Sequence, residues 1–277
     1  MGILGISIQS HTGLPLYLES WSKKLRAFRD GDPILIAGFL SALSSLASNY
    51  RQRIGYIRFF PVDFPDPYGI DGIYSFIGEY MIFCFTDSYQ FHPQVHLKIK
   101  WIYQKVLFKY EKMIQIGKVP ILNEEDKKYI YDILLDSFAF DYISNKREVL
   151  NRSISDLISK EYPNDVFGCF ITSFDNSLLF KYGMDRNEIE IYMNNIKIKV
   201  HNLSNGEILH NYVTLPGLEP RLVVMTNSGV KLQIADILEE GIEERSVPLY
   251  FYVIINANCA IEPIVESLVK KFNIILV

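Results

Sequence analysis

The order of strand-like and helix-like segments constrains this chain more than any single motif, because the order occurs twice. GILGISIQSHTGLPLYLESW (2–21) and VFGCFITSFDNSLLFKYGM (166–184) each read as two strands about a tight turn. Turn residues mark both: Thr12-Gly13 in the first, Asp175-Asn176-Ser177 in the second. Each hairpin is followed by one amphipathic stretch, further strand-like runs and a closing helix. The expected order is therefore β-β-α-β-β-β-α, twice over. A chain of 277 residues has the length for two such modules. The pattern predicts an α/β (α+β) fold, with modules at 1–117 and 166–277 and a helical connector at 118–165.

In the first module Asp32-Pro33 is a helix start, with Asp32 as N-cap and Pro33 in the first turn. Ile36, Phe39, Leu40, Leu43 and Leu46 recur at helical spacing, so this helix is expected to pack on its own sheet. IGYIRFF (54–60) and a hairpin about Gly78-Glu79 supply three more strands. PVDFPDPYGIDG (61–72) between them reads as a surface loop. Its Asp63, Asp66 and Asp71 do not match a calcium-loop spacing. His92-Pro93 opens a long helix to about Gln115, with Val95, Ile99, Ile102, Val106, Tyr110 and Met113 as its buried stripe.

Residues 118–165 are too apolar and too periodic for a flexible linker, and read as two helices ending near EYPND (161–165). The stretch 185–203 fits both periods. Alternation favours a strand through Ile189, Ile191 and Met193, and helical spacing joins Ile189, Met193, Ile196 and Val200. The D-x-x-E arrangement of Asp185 and Glu188, together with the length of the segment, favours a helix. EILHNYVTL, RLVVMTNSG, KLQIADIL and VPLYFYVIIN follow as strands. DILEEGIEER (236–245) reads as an exposed acidic loop, and a helix runs from about Ala260 to Phe272.

Charge and motif content narrow the function. A formal net charge of −4 argues against general nucleic-acid binding, which needs a basic surface. No P-loop, GxGxxG, GxSxG or HExxH occurs, so no enzyme class and no cofactor is indicated. His11, His201 and His210 have polar neighbours, as most loop histidines do. His92 and His96 stand i,i+4 without a third ligand nearby in sequence. Cys84, Cys169 and Cys259 are widely spaced in apolar settings, which fits buried thiols in a reducing compartment. No segment reaches the length needed to span about 30 Å of hydrocarbon, and a cytoplasmic location is expected. Two basic groups are candidate surfaces for an acidic partner or an anionic lipid headgroup. They are Lys98, Lys105, Lys109 and Lys112 on the long helix, and Lys23, Lys24, Arg26 and Arg29 after the first hairpin.

The GISIQSHTGLPLY hairpin, the DPILIAGFLSALSSLAS helix, the IGEYMIFCFTD hairpin and the long helix after it resemble a longin domain, and particularly resemble longin-like proteins of Asgard archaea. The second module resembles the longin/roadblock group in element order and spacing. The resemblance implies two modules, each a five-stranded antiparallel sheet with helices packed against it. It also implies a non-catalytic adaptor or regulator of a small Ras-like GTPase, or a partner of another longin/roadblock subunit, in a membrane-traffic-like complex. Such modules pair through sheet edges or first helices, so a dimer is a further expectation. The alternatives are a dimerisation scaffold without GTPase contact and a peripheral lipid-surface protein.

Overall fold

A computed structural model describes residues 2–25, 30–52, 54–60, 67–196, 203–214, 219–233 and 246–277. The chain divides into two compact units, Met1–Leu135 and Asp136–Val277. The segment 118–165 is thereby shared between them.

The first unit is a five-stranded antiparallel sheet, order β2-β1-β5-β4-β3, built from β1 (Ile3–Ser10), β2 (Pro15–Ser20), β3 (Tyr56–Phe59), β4 (Ile70–Ile77) and β5 (Tyr80–Asp87). Central β1 and β5 are buried along their whole length, as expected for near-continuous apolar runs. Helix α1 (Pro33–Asn49) covers one face, where Leu40 meets Leu4, Tyr74, Met81, Phe83 and Phe85. Helix α2 (His92–Ile102) covers the other through Val95, Ile99 and Ile102. The long helix expected to Gln115 is not regular. It passes through a π turn at Tyr103–Leu107 and a 3-10 turn at Phe108–Tyr110 before the short α3 (Glu111–Gln115). The Tyr80 hydroxyl, 0% exposed, donates to the Leu107 carbonyl at 2.9 Å, which satisfies one carbonyl at this irregularity. Helix α4 (Glu124–Leu134) opens on a capping box formed by Asn123 and Asp126.

The second unit begins with α5 (Ser137–Asn145) and α6 (Arg147–Glu161). The first helix expected in 118–165 is thus two, separated at Asp136, whose φ of 51° is left-handed. A second five-stranded antiparallel sheet follows, order β7-β6-β10-β9-β8, from β6 (Val166–Thr172), β7 (Leu178–Tyr182), β8 (Ile208–Val213), β9 (Arg221–Gln233) and β10 (Ser246–Asn256). RLVVMTNSG and KLQ form one strand, β9, with a bulge opposite Pro248–Tyr250. The ambiguous stretch is helical over α7 (Arg186–Asn195), where Asp185 and Glu188 make a capping box. Residues 197–202 and the acidic loop 236–245 lie outside the described residues. Helix α8 (Ile261–Leu276) closes the unit, with the Phe272 ring centroid 4.1 Å from that of Phe251.

The two sheets share one topology, and the likeness reaches single hydrogen bonds. In the hairpin loops Ser10 N–H donates to the Leu14 carbonyl and Ser173 N–H to that of Ser177, both at 2.9 Å. The fourth loop residue has positive φ in each, Gly13 at 85° and Asn176 at 78°, the two residue types that tolerate it best. At the far end of the sheet Asp87 N–H donates to the Gly2 carbonyl, and Asn256 N–H to that of Asp165. Gly5 and Gly168 then fall at the same place on β1 and β6. At both a Cβ would lie 2.7 Å from a backbone oxygen of the neighbouring hairpin, Glu19 or Tyr182.

Candidate functional site: an uncharged helix face on the first unit

Helix α1 carries no charged residue in its 17 positions, PILIAGFLSALSSLASN. Its start is fixed by Asp32, whose side chain accepts from Ile34 N–H at 2.8 Å, with Pro33 in the first turn. Only Ala37 and Leu40 are buried, with Ile36 packed beside them. The Ser44 hydroxyl shares a 2.9 Å hydrogen bond with the Tyr74 hydroxyl and ties the C-terminal half to β4.

Phe39 and Leu46, expected in the buried stripe, point away from the sheet. They are 51% and 55% exposed, and Leu35 is 71% exposed. A helix of this diameter meets a flat sheet along a narrow line, so a stripe of five apolar positions cannot all reach it. Leu35, Phe39, Ala42 and Leu46 follow one another at intervals of four, three and four residues. They make a seam of the kind that packs against another protein element. Gly38, Ala42 and Ser45 beside them are small and exposed, so a partner backbone can approach closely. In the second unit α7 holds the corresponding place in the topology. Its exposed positions are Arg186, Asn187, Glu188 and Asn195, all polar. One unit has an ordinary solvated helix where the other has an apolar one.

The basic candidates are not brought together. Lys98 is fully buried, and its Nζ donates to the Leu134 carbonyl of α4 at 3.0 Å. Lys105 Nζ lies 5.4 Å from the Tyr129 ring centroid, and Lys109 Nζ is 2.5 Å from Asp126 Oδ1. Lys112 is exposed. Two physical reasons separate them: α4 packs over this side of the helix, and the π and 3-10 turns change the helical phase between Lys98 and Lys112. Lys23 is exposed, and Lys24 pairs with Asp87 at 2.9 Å. Arg26 and Arg29 lie outside the described residues.

The histidines serve other contacts. His92 Nε2 is 3.0 Å from Asp71 Oδ2, and His96 Nδ1 is 2.6 Å from Ser75 Oγ. His11 pairs with Glu79, His210 is exposed on β8, and His201 lies outside the described residues. Asp71, expected in a surface loop, is buried within β4, where Arg58 grips it at 2.6 and 2.9 Å. Burial alone pushes this carboxyl upward. The hydrogen bonds from Arg58 and His92 outweigh that and hold it below the usual carboxylate range. Asp63 and Asp66 are outside the described residues. Among the described residues no three His, Cys, Asp or Glu side chains stand together as a metal site, and no helix is long and apolar enough to cross a membrane.

No protein-family model matches the chain, and no curated protein matches it at a significant level. The signal for the seam lay in the sequence all the same: seventeen helical residues without a charge are more apolar than one buried stripe requires.

Proposed function

We propose that the chain is a non-catalytic adaptor or regulator that docks another protein on the exposed seam of α1. The partner class is a small Ras-like GTPase or another longin/roadblock-type subunit. The observation that carries the reading is the contrast between α1 and α7. The topology is the same, yet only α1 leaves Leu35, Phe39 and Leu46 in water. Contiguous exposed apolar surface marks association sites. Returning the exposed part of each of these side chains to a dry contact is worth about 1–2 kcal/mol on the transfer scale. The resemblance of the first hairpin, α1 and the β4–β5 hairpin to a longin domain supplies the partner class.

The test is binding of purified Ras-like GTPases and roadblock-type proteins from the same genome, with the GTPases loaded with GDP or a GTP analogue, to the wild-type chain and to Leu35→Asp/Phe39→Asp. Nanomolar to micromolar binding that the double variant loses supports the reading. Equal binding by the two chains, or none by either, refutes it. A second reading, a homodimer through the same face, is favoured by the spacing of the seam, which suits an antiparallel copy of itself. Light scattering at high concentration separates it: a strict monomer excludes self-association.

A further inference from the structure

Helices α2 to α4 form a hairpin, and its free end is a further exposed apolar surface of the first unit. Lys98 Nζ meets the Leu134 carbonyl at the C-terminal end of α4. Lys109 Nζ and the Tyr110 hydroxyl meet Asp126 in its first turn, at 2.5 and 2.6 Å. Helix α4 therefore runs antiparallel to the run from α2 to α3, and residues 111–123 are the tip of the hairpin. Its turn is a Schellman motif. Gly117 N–H donates to the Ile114 carbonyl at 2.8 Å and Lys118 N–H to that of Met113 at 2.9 Å, with Gly117 at φ 74°. Gln115 Nε2 donates to Glu79 at 3.2 Å, which ties the base of the tip to the turn between β4 and β5.

Within 112–123 only Ile114, Pro120 and Leu122 are buried. The alternation along Val119-Pro120-Ile121-Leu122 turns Val119 and Ile121 outward together. Ile116 is 68% and Ile121 89% exposed, with Met113 exposed one turn before the apex. Charge at the tip has the opposite sign to that of the chain. Between Gln104 and Asn123 stand four lysines and one carboxylate, in a chain of net charge −4. Asp126 offsets Lys109, and Glu111, which accepts from the Tyr103 hydroxyl at 2.6 Å, offsets Lys105. Glu124 and Glu125 of α4 are balanced by Lys127 and Lys128, Glu124 through an ion pair with Lys127 at 2.7 Å. Lys112 and Lys118 are left over. Both are exposed, and among the described residues neither makes an ion pair.

We infer that this hairpin tip seats the protein on an anionic lipid bilayer. Ile116, Val119 and Ile121 enter the boundary between headgroups and acyl chains, and Lys112 and Lys118 stay level with the lipid phosphates. A convex turn with aliphatic side chains at its apex and lysines beside them suits a fluid surface that closes around it. Lysine is depleted in protein–protein interfaces, and the Arg, Trp and Tyr anchors that dominate such interfaces are missing from 112–123. Each lysine near an anionic leaflet adds attraction that salt screens within a Debye length. Of the lysines on the long helix, Lys98 and Lys109 are committed to α4, and Lys112 alone reaches the tip. The tip shares no residue with the α1 seam, so either reading stands without the other.

The probe is a pair of vesicle preparations sedimented with the full chain at low salt, one of phosphatidylcholine with about one-third phosphatidylserine and one of phosphatidylcholine alone. Binding to the anionic vesicles is expected to exceed binding to the neutral ones at least ten-fold, and to fall at least ten-fold at about 0.5 M salt. Ile116→Ser/Ile121→Ser and Lys112→Gln/Lys118→Gln are each expected to bind at least ten-fold more weakly, and Leu35→Asp/Phe39→Asp to bind unchanged. Ile121→Trp is expected to be quenched by lipids brominated on their acyl chains, beyond any quenching of Trp21 and Trp101 in the wild type. If the isoleucine variant does not fold, the lysine variant decides together with the vesicle and salt comparisons on the unaltered protein. Absence of sedimentation with anionic vesicles at low salt, equal binding to both preparations, unchanged binding by the tip variants, or an unquenched Ile121→Trp overturns the inference. A wild-type dimer that Ile116→Ser/Ile121→Ser makes monomeric assigns the tip to a second copy of the chain and overturns it equally. Loss of GTPase or roadblock-type binding in that variant assigns the tip to a protein partner, with the same consequence.

Discussion

Two leucines on α1 give a test in which chemistry and helix are held constant and only burial differs. Leu40 is 0% exposed among Tyr74, Met81, Phe83 and Phe85, whereas Leu35 is 71% exposed. Leu40→Ala removes a packed side chain and leaves a cavity, which costs about 2–5 kcal/mol. For a unit of this size that lowers Tm by roughly 8–20 °C. Leu35→Ala gives up little buried area and gains slightly in helix propensity, so its cost is expected to stay within about 0.5 kcal/mol. Both tryptophans of the chain, Trp21 and Trp101, lie in the first unit, so their fluorescence during urea unfolding follows that unit alone. The difference in midpoint between the two variants then reads burial directly. A Leu35→Ala cost equal to that of Leu40→Ala would show that the seam is covered in solution, and the argument for an open docking face would fall.

Asp71→Asn is expected to destabilise the first unit at neutral pH. Because the Asp71 carboxyl is held low in the fold, its contribution is fully present above the ordinary carboxylate pKa and is lost as pH falls through the lower folded value. Urea midpoints of wild type and variant should therefore converge toward low pH, and a constant gap down to acid unfolding would refute the ion-pair account. Gly5→Ala and Gly168→Ala are each expected to cost about 1–3 kcal/mol, since each added Cβ meets a backbone oxygen at 2.7 Å. Hydrogen exchange should place each loss in its own unit, and neutral variants would mean that the hairpins open freely at that point. Cys169 is buried and its thiol is pushed up to about 12 by burial, so it should resist a thiol reagent at pH 8 until the second unit unfolds. Modification at the rate of an exposed thiol would contradict that burial.

The sheets were legible because their signals are local. Turn residues at Gly13 and Asn176 and unbroken apolar runs such as VPLYFYVIIN fix strand and hairpin without reference to the rest of the chain. The contested helix α7 was legible through its cap, because Asp185 and Glu188 bond only in a helical first turn. Features that depend on what packs where were not legible. A Lys98 at helical spacing from three other lysines reads as one of a solvated row until α4 is laid over it. Asp71 sits among prolines and other aspartates in sequence, and only the pairing of β3 with β4 brings Arg58 to it. The apolar excess of α1 was visible in composition, but assigning Phe39 and Leu46 to the outside required knowing that the sheet takes up only the line through Ala37 and Leu40.

Duplication turns these differences into an argument about role. Two units built on one strand order and one hairpin geometry have similar needs for burial, so a place where only one of them departs from an ordinary surface is not a requirement of the fold. The second unit solvates α7, the helix that follows its hairpin, with Arg186, Asn187, Glu188 and Asn195 exposed. The first unit leaves Leu35, Phe39 and Leu46 of α1 exposed. Exposed apolar side chains are a liability that folded proteins usually keep small and scattered. The second unit shows that this fold tolerates a polar face at the same place. The exposed apolar seam of the first unit is therefore not a packing requirement of the fold, and the comparison of Leu35→Ala with Leu40→Ala reads whether it is open in solution.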